Sequence, residues 1–388
     1  MIRIILLFAL LVVPFFTASS NEKSLANSID NIFSELILEA EPACAVGLIK
    51  NNEYLFKRGY GLSNLEHKIA LTPDSVFRIG SISKQFTAMA ILILEEKGDL
   101  SLDDPIRKYI PDLIDYKENV TIRHLIHHYS GLGDYEYSDY PGRFINSVGE
   151  EFRWGNQDYM SNDEVYALFK TLPLIMKPET KFWYSNLGYG LLTIVIENIT
   201  GMTLREFAEK EIFKPLGMDN TFFNDDVNLV VTNRADAYTP RENYLGEYKI
   251  FMTNLSNVGD GGVYTTINDF IKWDQNFYGN NLGDQNDELI QRMKHNFFKQ
   301  SAEISRKDND VYRDEDTYAF AQNFDVYRGS NRWSHSGSWV GYTAKYSRFE
   351  DLKFSTVVFC NNEAIDAGEV SDKIIEMYFN LEQKIGFK

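Results

Sequence analysis

Apolar residues at Leu25, Ile29, Ile32, Phe33, Leu36 and Ile37 recur in steps of three and four, which predicts a helix over residues 23–40. The run A-C-A-V-G-L-I-K then predicts a strand, Asn51-Asn52 a turn, and E-Y-L-F-K-R-G-Y-G the second strand of a hairpin. From Ser81 onward the period changes. Ile82, Phe86, Met89, Ala90, Ile93 and Leu94 line most of one side of a helix over 81–97. Gly98 supplies its C-terminal cap, and Gly80 a place where the backbone turns sharply before it. Gly201 ends a helix through L-L-T-I-V-I-E-N-I-T, Thr203 with Glu206 forms a capping box, and Thr266 with Asp269 gives a similar start for N-D-F-I-K-W. Strand patterns return at 317–327, 340–349 and 352–360, with turn residues at 328–331 and 350–351, and a helix over 370–379 closes the chain.

Strands thus cluster at both ends around a helical middle. The expected fold class is α+β: an antiparallel sheet built from both chain ends, flanked by the terminal helices, with a large, mostly helical insertion. Residues 21–80 with 311–388 form the sheet region and 81–310 the helical one, with no flexible linker and no internal repeat between them.

Residues 1–20 change the picture at the N-terminus. Arg3, the apolar run from Ile4 to Phe16 and the small residues Thr17 to Ser20 have the layout of a signal peptide. The run is shorter than the roughly 20 residues a membrane-spanning helix needs, and Pro14 interrupts it. The expectation is an exported protein, periplasmic or secreted, with no stable membrane span once the segment is cleaved. The chain of 388 residues carries 39 Lys and Arg against 56 Asp and Glu, a net charge of −17, and the leader contributes only Arg3 to it. Such acidity argues against nucleic acid as a partner, which requires a basic footprint. Cys44 and Cys360 each lie in a strand-like run; two buried thiols are the simpler reading, and export permits a disulfide.

The candidate chemistry starts in S-I-S-K-Q-F-T-A. Ser81 on the first helical turn and Lys84 one turn later project from one face. A serine hydroxyl becomes a nucleophile when a base takes its proton, and a lysine serves once burial makes its amine neutral. The helix N-terminus adds N–H groups and partial positive charge where an anion would form. Two further motifs follow, Tyr184-Ser185-Asn186 in F-W-Y-S-N-L-G-Y-G and His335-Ser336-Gly337 in W-S-H-S-G-S-W-V-G-Y. With F-R-I-G-S-I-S-K, L-S-L-D-D-P-I-R-K-Y-I-P, T-I-R-H-L-I-H-H-Y-S-G-L and G-D-G-G-V-Y-T-T, they make the chain resemble the serine β-lactamase and penicillin-binding protein family, in its class C-like branch of D,D-peptidases, D-aminopeptidases and esterases.

The resemblance implies that Ser81 attacks a carbonyl to form an acyl-enzyme while Lys84 and Tyr184 share the general base and acid work, in an order the sequence leaves open. Asn186 would bond the substrate's amide side and steady Lys84. The backbone N–H groups of Ser81 and Ser338 would form the oxyanion hole. His335, Ser336 and Gly337 complete the substrate-binding strand. His335 departs from the lysine of many β-lactamases, and at an ordinary pKa near 6.5 it would be charged only roughly a quarter of the time at pH 7. Ser336 stands where threonine is usual. Both departures favour an amidase, peptidase or esterase acting on peptide-like or cell-wall-derived molecules. The alternatives are a β-lactamase proper, or a sensor that binds penicillin or peptidoglycan without turnover.

Three other features carry less. His124, His127 and His128 at helical spacing could face a metal, but they coincide with a structural helix of the family, and no metal or organic cofactor is expected. Gly259-Asp260-Gly261-Gly262 reads as a turn, since no lysine follows to complete a phosphate cradle. The Tyr-rich stretch 134–159 with Trp154, together with Trp183 and Trp339, suggests an aromatic substrate pocket.

Overall fold

The computed structural model describes residues 20–37, 40–135, 139, 161–242, 244, 246–279, 281–283, 288–295 and 318–385. Helix α1 (Ser20–Leu36) leads into strands β1 (Cys44–Lys50) and β2 (Glu53–Tyr60). The middle of the chain holds helices α2 (Lys84–Glu96) and α3 (Asn186–Thr200). Strands β3 (Asn323–Tyr327), β4 (Ser330–Trp339), β5 (Tyr342–Phe349) and β6 (Phe354–Cys360) follow, and α4 (Ala367–Ile385) ends the described chain. The six strands form one sheet in the order β3-β4-β5-β6-β1-β2, with every pairing antiparallel. The α+β class and the sheet made from both chain ends are as the pattern predicts.

The alternation of a strand decides what each face covers. Ala45 and Ile49 of β1, Ala344 and Tyr346 of β5, and Val357 and Phe359 of β6 point to one side and join the main core with α2 and α3. Val46, Leu48, Phe354 and Val358 point to the other, where Leu25, Ile29 and Phe33 of α1 and Ile374, Ile375 and Tyr378 of α4 cover them. The sheet is therefore a wall with terminal helices behind it and the helical insertion in front.

Several boundaries differ from the pattern. The predicted 81–97 helix begins as a 3₁₀ turn over Gly80–Ser83 and becomes α-helical only at Lys84. Gly98 caps it with φ +77°. Residues 340–341 are a turn rather than strand, because Gly341 takes φ +74°, and the preceding Ser330–Trp339 forms a ten-residue strand instead. In the described part of the 317–327 strand only Asn323–Tyr327 is regular; Tyr318 makes a single bridge to Asn323 across a turn at Ala321, φ +54°. The Thr203–Glu206 capping box forms as expected. Residues 1–19 lie outside the described part, and among the described residues no single helix is long and apolar enough to cross a membrane.

Cys44 and Cys360 face each other across β1 and β6 and are joined as a disulfide, which corrects the reading of two thiols. The hydrophobic pattern placed both in strands, but only the register puts them opposite. The bond ties residues 316 apart in sequence, and its loss is expected to cost roughly 2–5 kcal/mol. Denaturant titration of the Cys44→Ala, Cys360→Ala double variant checks this. An unchanged midpoint, or two titratable thiols in the native protein, would contradict the pairing.

Candidate active site

Two close backbone approaches set the position of Ser81. Gly80 takes φ +51°, and a Cβ there would lie 2.6 Å from the backbone nitrogen of Ser338. A Cβ on Gly337 would lie 2.0 Å from the carbonyl oxygen of Ile79. Strand β4 thus rests directly on the turn that carries Ser81, and only residues without side chains permit it. The backbone of Ser338 is brought beside Ser81 as a result. On its other side the turn is held by residues 261–263: Ile79 N–H donates to Val263 O (3.0 Å), Val263 N–H to Ser83 Oγ (2.9 Å) and Arg78 Nε to Gly261 O (2.8 Å).

Lys84 opens α2 and is fully buried. Its Nζ lies 3.1 Å from Ser81 Oγ, 2.5 Å from Asn186 Oδ1 and 2.6 Å from the carbonyl oxygen of Asp260. Two carbonyl-type oxygens accept two of its hydrogens. The remaining position on the nitrogen faces the serine, with an N–H in the ammonium and a lone pair for the Ser81 proton in the neutral amine. One geometry therefore serves both sides of a proton transfer.

Asn186 is the first residue of α3. Ser185 caps that helix, accepting from Gly188 N–H (3.2 Å) and donating to Gly133 O (2.8 Å), while Asn186 N–H donates to Asp134 Oδ2 (2.9 Å). Tyr184, just before the cap, has its ring centroid 5.0 Å from Lys84 Nζ and lies against the ring of His128 at 4.2 Å. The first two motifs thus meet around one buried amine, and the third packs its backbone on the turn that carries Ser81.

Strand β4 divides its motif between the two faces of the sheet. His335 and Gly337 face the Ser81 side, while Ser336 pairs with Lys345 and accepts from its Nζ (3.2 Å) on the opposite face. The Ser336 hydroxyl is therefore not among the groups brought to Ser81. His335 donates from Nδ1 to the carbonyl oxygen of Ser336 (2.6 Å), and its Nε2 lies 3.2 Å from the Tyr318 hydroxyl. Burial, above all, pulls its pKa down to about 3; the hydrogen bond to Ser336 opposes this, and the charges of Lys84 and Lys345 add to it. The imidazole is neutral at pH 7, not fractionally charged as its ordinary pKa implies. Strand β3 pairs with β4 only as far as Ser334, so among the described residues no strand covers the outer edge of 335–339.

The three histidines of T-I-R-H-L-I-H-H do not share a helix face. The helix is only Ile122–Ile126, and His128 takes φ +62° beyond its end. His124 bonds Thr121 N–H and Glu179, His127 packs on Phe320, and His128 turns toward Tyr184 and Tyr318. Of the tryptophans, Trp339 stacks on Arg78 with the guanidinium carbon 4.3 Å from the ring, Trp183 Nε1 donates to Asp139 (2.9 Å), and Trp154 lies outside the described residues.

Sequence reasoning missed Asp260, Asp134 and Tyr318. Asp260 acts through its backbone carbonyl, which no side-chain pattern reveals, although its setting in G-D-G-G marks a tight turn. Tyr318 stands just after a stretch without motif, and nothing in its local sequence signals a role.

The Beta-lactamase family model matches residues 29–375. The chain is 28% identical over 329 residues to penicillin-binding protein 4* of Bacillus subtilis, covering 81% of this chain and 67% of that one. It is 26% identical over 299 residues to the human mitochondrial serine beta-lactamase-like protein LACTB, covering 62% of this chain and 54% of that one. Its fold is similar to the D-amino acid amidase of Ochrobactrum anthropi crystallised with L-phenylalanine amide, with TM-score 0.72, 23% identity, and 92% and 99% of the two chains covered. The family match runs through nearly the whole described chain, and the protein is a member of the Beta-lactamase family, a family of serine hydrolases.

Proposed function

We propose that the protein is an exported serine hydrolase that forms an acyl-enzyme on Ser81 and cleaves amide or ester bonds of peptide-like or cell-wall-derived molecules. The observation that carries this reading is the buried Lys84 amine, 3.1 Å from Ser81 Oγ and bonded to Asn186 and Asp260. Export is supported by the apolar run after Arg3 and by the Cys44–Cys360 disulfide, since such bonds persist in oxidising compartments.

In this reading Ser81 Oγ attacks the carbonyl carbon and its proton passes to the Lys84–Tyr184 pair. The carbonyl oxygen becomes an anion between the N–H groups of Ser81 and Ser338, each such donor being worth about 10²–10³ in rate. The tetrahedral species collapses, the leaving amine or alcohol takes the proton back from the pair, and the acyl group stays on Ser81. Water then attacks that ester with the same pair as base. Lys84 Nζ lies 5.0 Å from the centroid of the Tyr184 ring, so the two members of the pair stand side by side. Because His335 is neutral, position 335 supplies no fixed cation where β-lactamases hold a lysine, which favours amide and ester substrates over β-lactams.

Ser81→Ala is expected to abolish both hydrolysis of a panel of esters, D-amino-acid amides and peptides and covalent labelling by a fluorescent penicillin, with unchanged circular dichroism. Labelling that persists in this variant would refute the nucleophile. In the native protein, a label held for hours with no turnover of the panel would favour the sensor over the hydrolase. Gly337→Ala should slow acylation by at least about tenfold, because the added methyl forces β4 off the turn and separates the two oxyanion donors. It should also cost about 1–3 kcal/mol in denaturant stability. Acylation at the native rate would show that the contact does not set the site.

A further inference from the structure

Four hydrogen bonds run in series between the wall that carries Tyr184 and the strand that carries His335. Ser185 N–H lies 3.1 Å from His128 Nδ1, His128 Nε2 lies 3.2 Å from the Tyr318 hydroxyl, that hydroxyl lies 3.2 Å from His335 Nε2, and His335 Nδ1 lies 2.6 Å from Ser336 O. Each end of the chain fixes the place of one hydrogen. A backbone N–H only donates, so His128 Nδ1 is bare and its hydrogen sits on Nε2, donating to Tyr318. A carbonyl only accepts, so His335 carries a hydrogen on Nδ1, and in the neutral imidazole its Nε2 is bare. The Tyr318 hydrogen fills that lone pair. With both imidazoles neutral, every donor and acceptor of the chain is used once. Burial agrees, since it pulls the His128 pKa well below its ordinary value, as it does that of His335. The neighbouring Tyr189 commits its own hydrogen to Ile126 O at 2.9 Å, and its oxygen is a second acceptor within reach of Tyr318.

We propose that Tyr318 is a specificity-determining positioning residue: by occupying Nε2 of His335 it prevents that imidazole from offering a proton to a carboxylate beside the scissile bond. The inference rests on the hydrolase reading above and names the substrates that site takes, acyl compounds whose recognition does not depend on a neighbouring carboxylate. The same hydroxyl links β4 to the segment that carries Tyr184, because His128 holds the Ser185 backbone and lies against the ring of Tyr184. Among the described residues the groups facing His335 are Tyr318, Tyr184, Lys84 and His128, with Lys345 across the neighbouring strand. The two lysines oppose a charge on the imidazole. Once Tyr318 is removed, an incoming carboxylate would favour that charge.

The test compares the native protein with Tyr318→Phe on two esters that differ only in a carboxylate next to the acyl group, between pH 5.5 and 8. The ratio of kcat/KM for the anionic over the uncharged ester should rise at least about fivefold in the variant at pH 6, the scale of a charge-assisted hydrogen bond, and fall back by pH 8. An equal loss on both esters, with no change in the pH profile of the ratio, is the result of a merely structural tyrosine and would overturn the proposal. Nitrogen NMR of histidine-labelled protein, with the signal assigned through His335→Gln, gives a readout independent of turnover. Native His335 should show a protonated Nδ1 and a bare Nε2 at pH 6. Two protonated nitrogens there would overturn the inference even if Ser81 proves to be the nucleophile, whereas loss of Ser81 acylation alone would strike only the hydrolase reading.

Discussion

A fully buried amine dictates much of the packing in this protein. An uncompensated lysine in an apolar interior costs several kcal/mol, so Lys84 can stay buried only if oxygens surround its nitrogen. Those oxygens come from three separate segments: the Ser81 turn, the start of α3 through Asn186, and the 257–262 turn through the Asp260 carbonyl. The last is wedged tightly. Thr87 of α2 donates to Gly259 O at 2.7 Å, and a Cβ on Gly259 would lie 2.0 Å from Thr193 Oγ1 of α3. Asp260 turns its carboxylate away toward Tyr135 and Asn257, which leaves the carbonyl as the atom presented to the amine. Satisfying one nitrogen therefore fixes how the two central helices approach each other.

The sheet enters this arrangement by contact of backbones. Gly80 and Gly337 remove the two side chains that would keep β4 from the Ser81 turn, and two residues before Gly337 Tyr318 ties the same strand, at His335, to the helical wall through His128. The site is thus clamped at two places along β4, one by close packing and one by hydrogen bonding. Neither clamp is made by a residue that would attack or protonate a substrate. Both act by keeping the groups that would do so at fixed separations, which is what a positioned nucleophile and its base require.

Much of this was legible in the chain. The period of the 81–97 run, the capping box at Thr203 and the α+β order of elements follow from local pattern, because burial on one face and satisfaction of helix ends are local demands. What the pattern missed depends on the third dimension. The three histidines at helical spacing point to different partners because the helix stops at Ile126 and His128 adopts a left-handed conformation. The disulfide required the register of β1 against β6, which no single run encodes. His335 is neutral because of what surrounds it, whereas a sequence offers only the ordinary pKa. Asp260 contributes a backbone oxygen, and the side chain that names it in the sequence is occupied elsewhere.

The H-S-G-S motif shows why a string of residues is a poor guide to which atoms face a cleft. A strand sends alternate side chains to opposite faces, so neighbours in a motif cannot all present their side chains to one substrate. At His335 the side chain faces the Ser81 side; at Ser336 the hydroxyl bonds Lys345 behind the sheet, and the atom that matters in front is its carbonyl, which holds His335 Nδ1. At Gly337 what matters is the absence of a side chain, and at Ser338 the backbone nitrogen. Four consecutive positions thus contribute an imidazole, a carbonyl, a vacancy and an N–H. The hydroxyl at 336 is bonded on the rear face, where it accepts from the Lys345 amine. Chemical similarity to threonine at that position is therefore weak evidence about specificity, and the imidazole beside it, with the tyrosine that saturates it, carries the distinction.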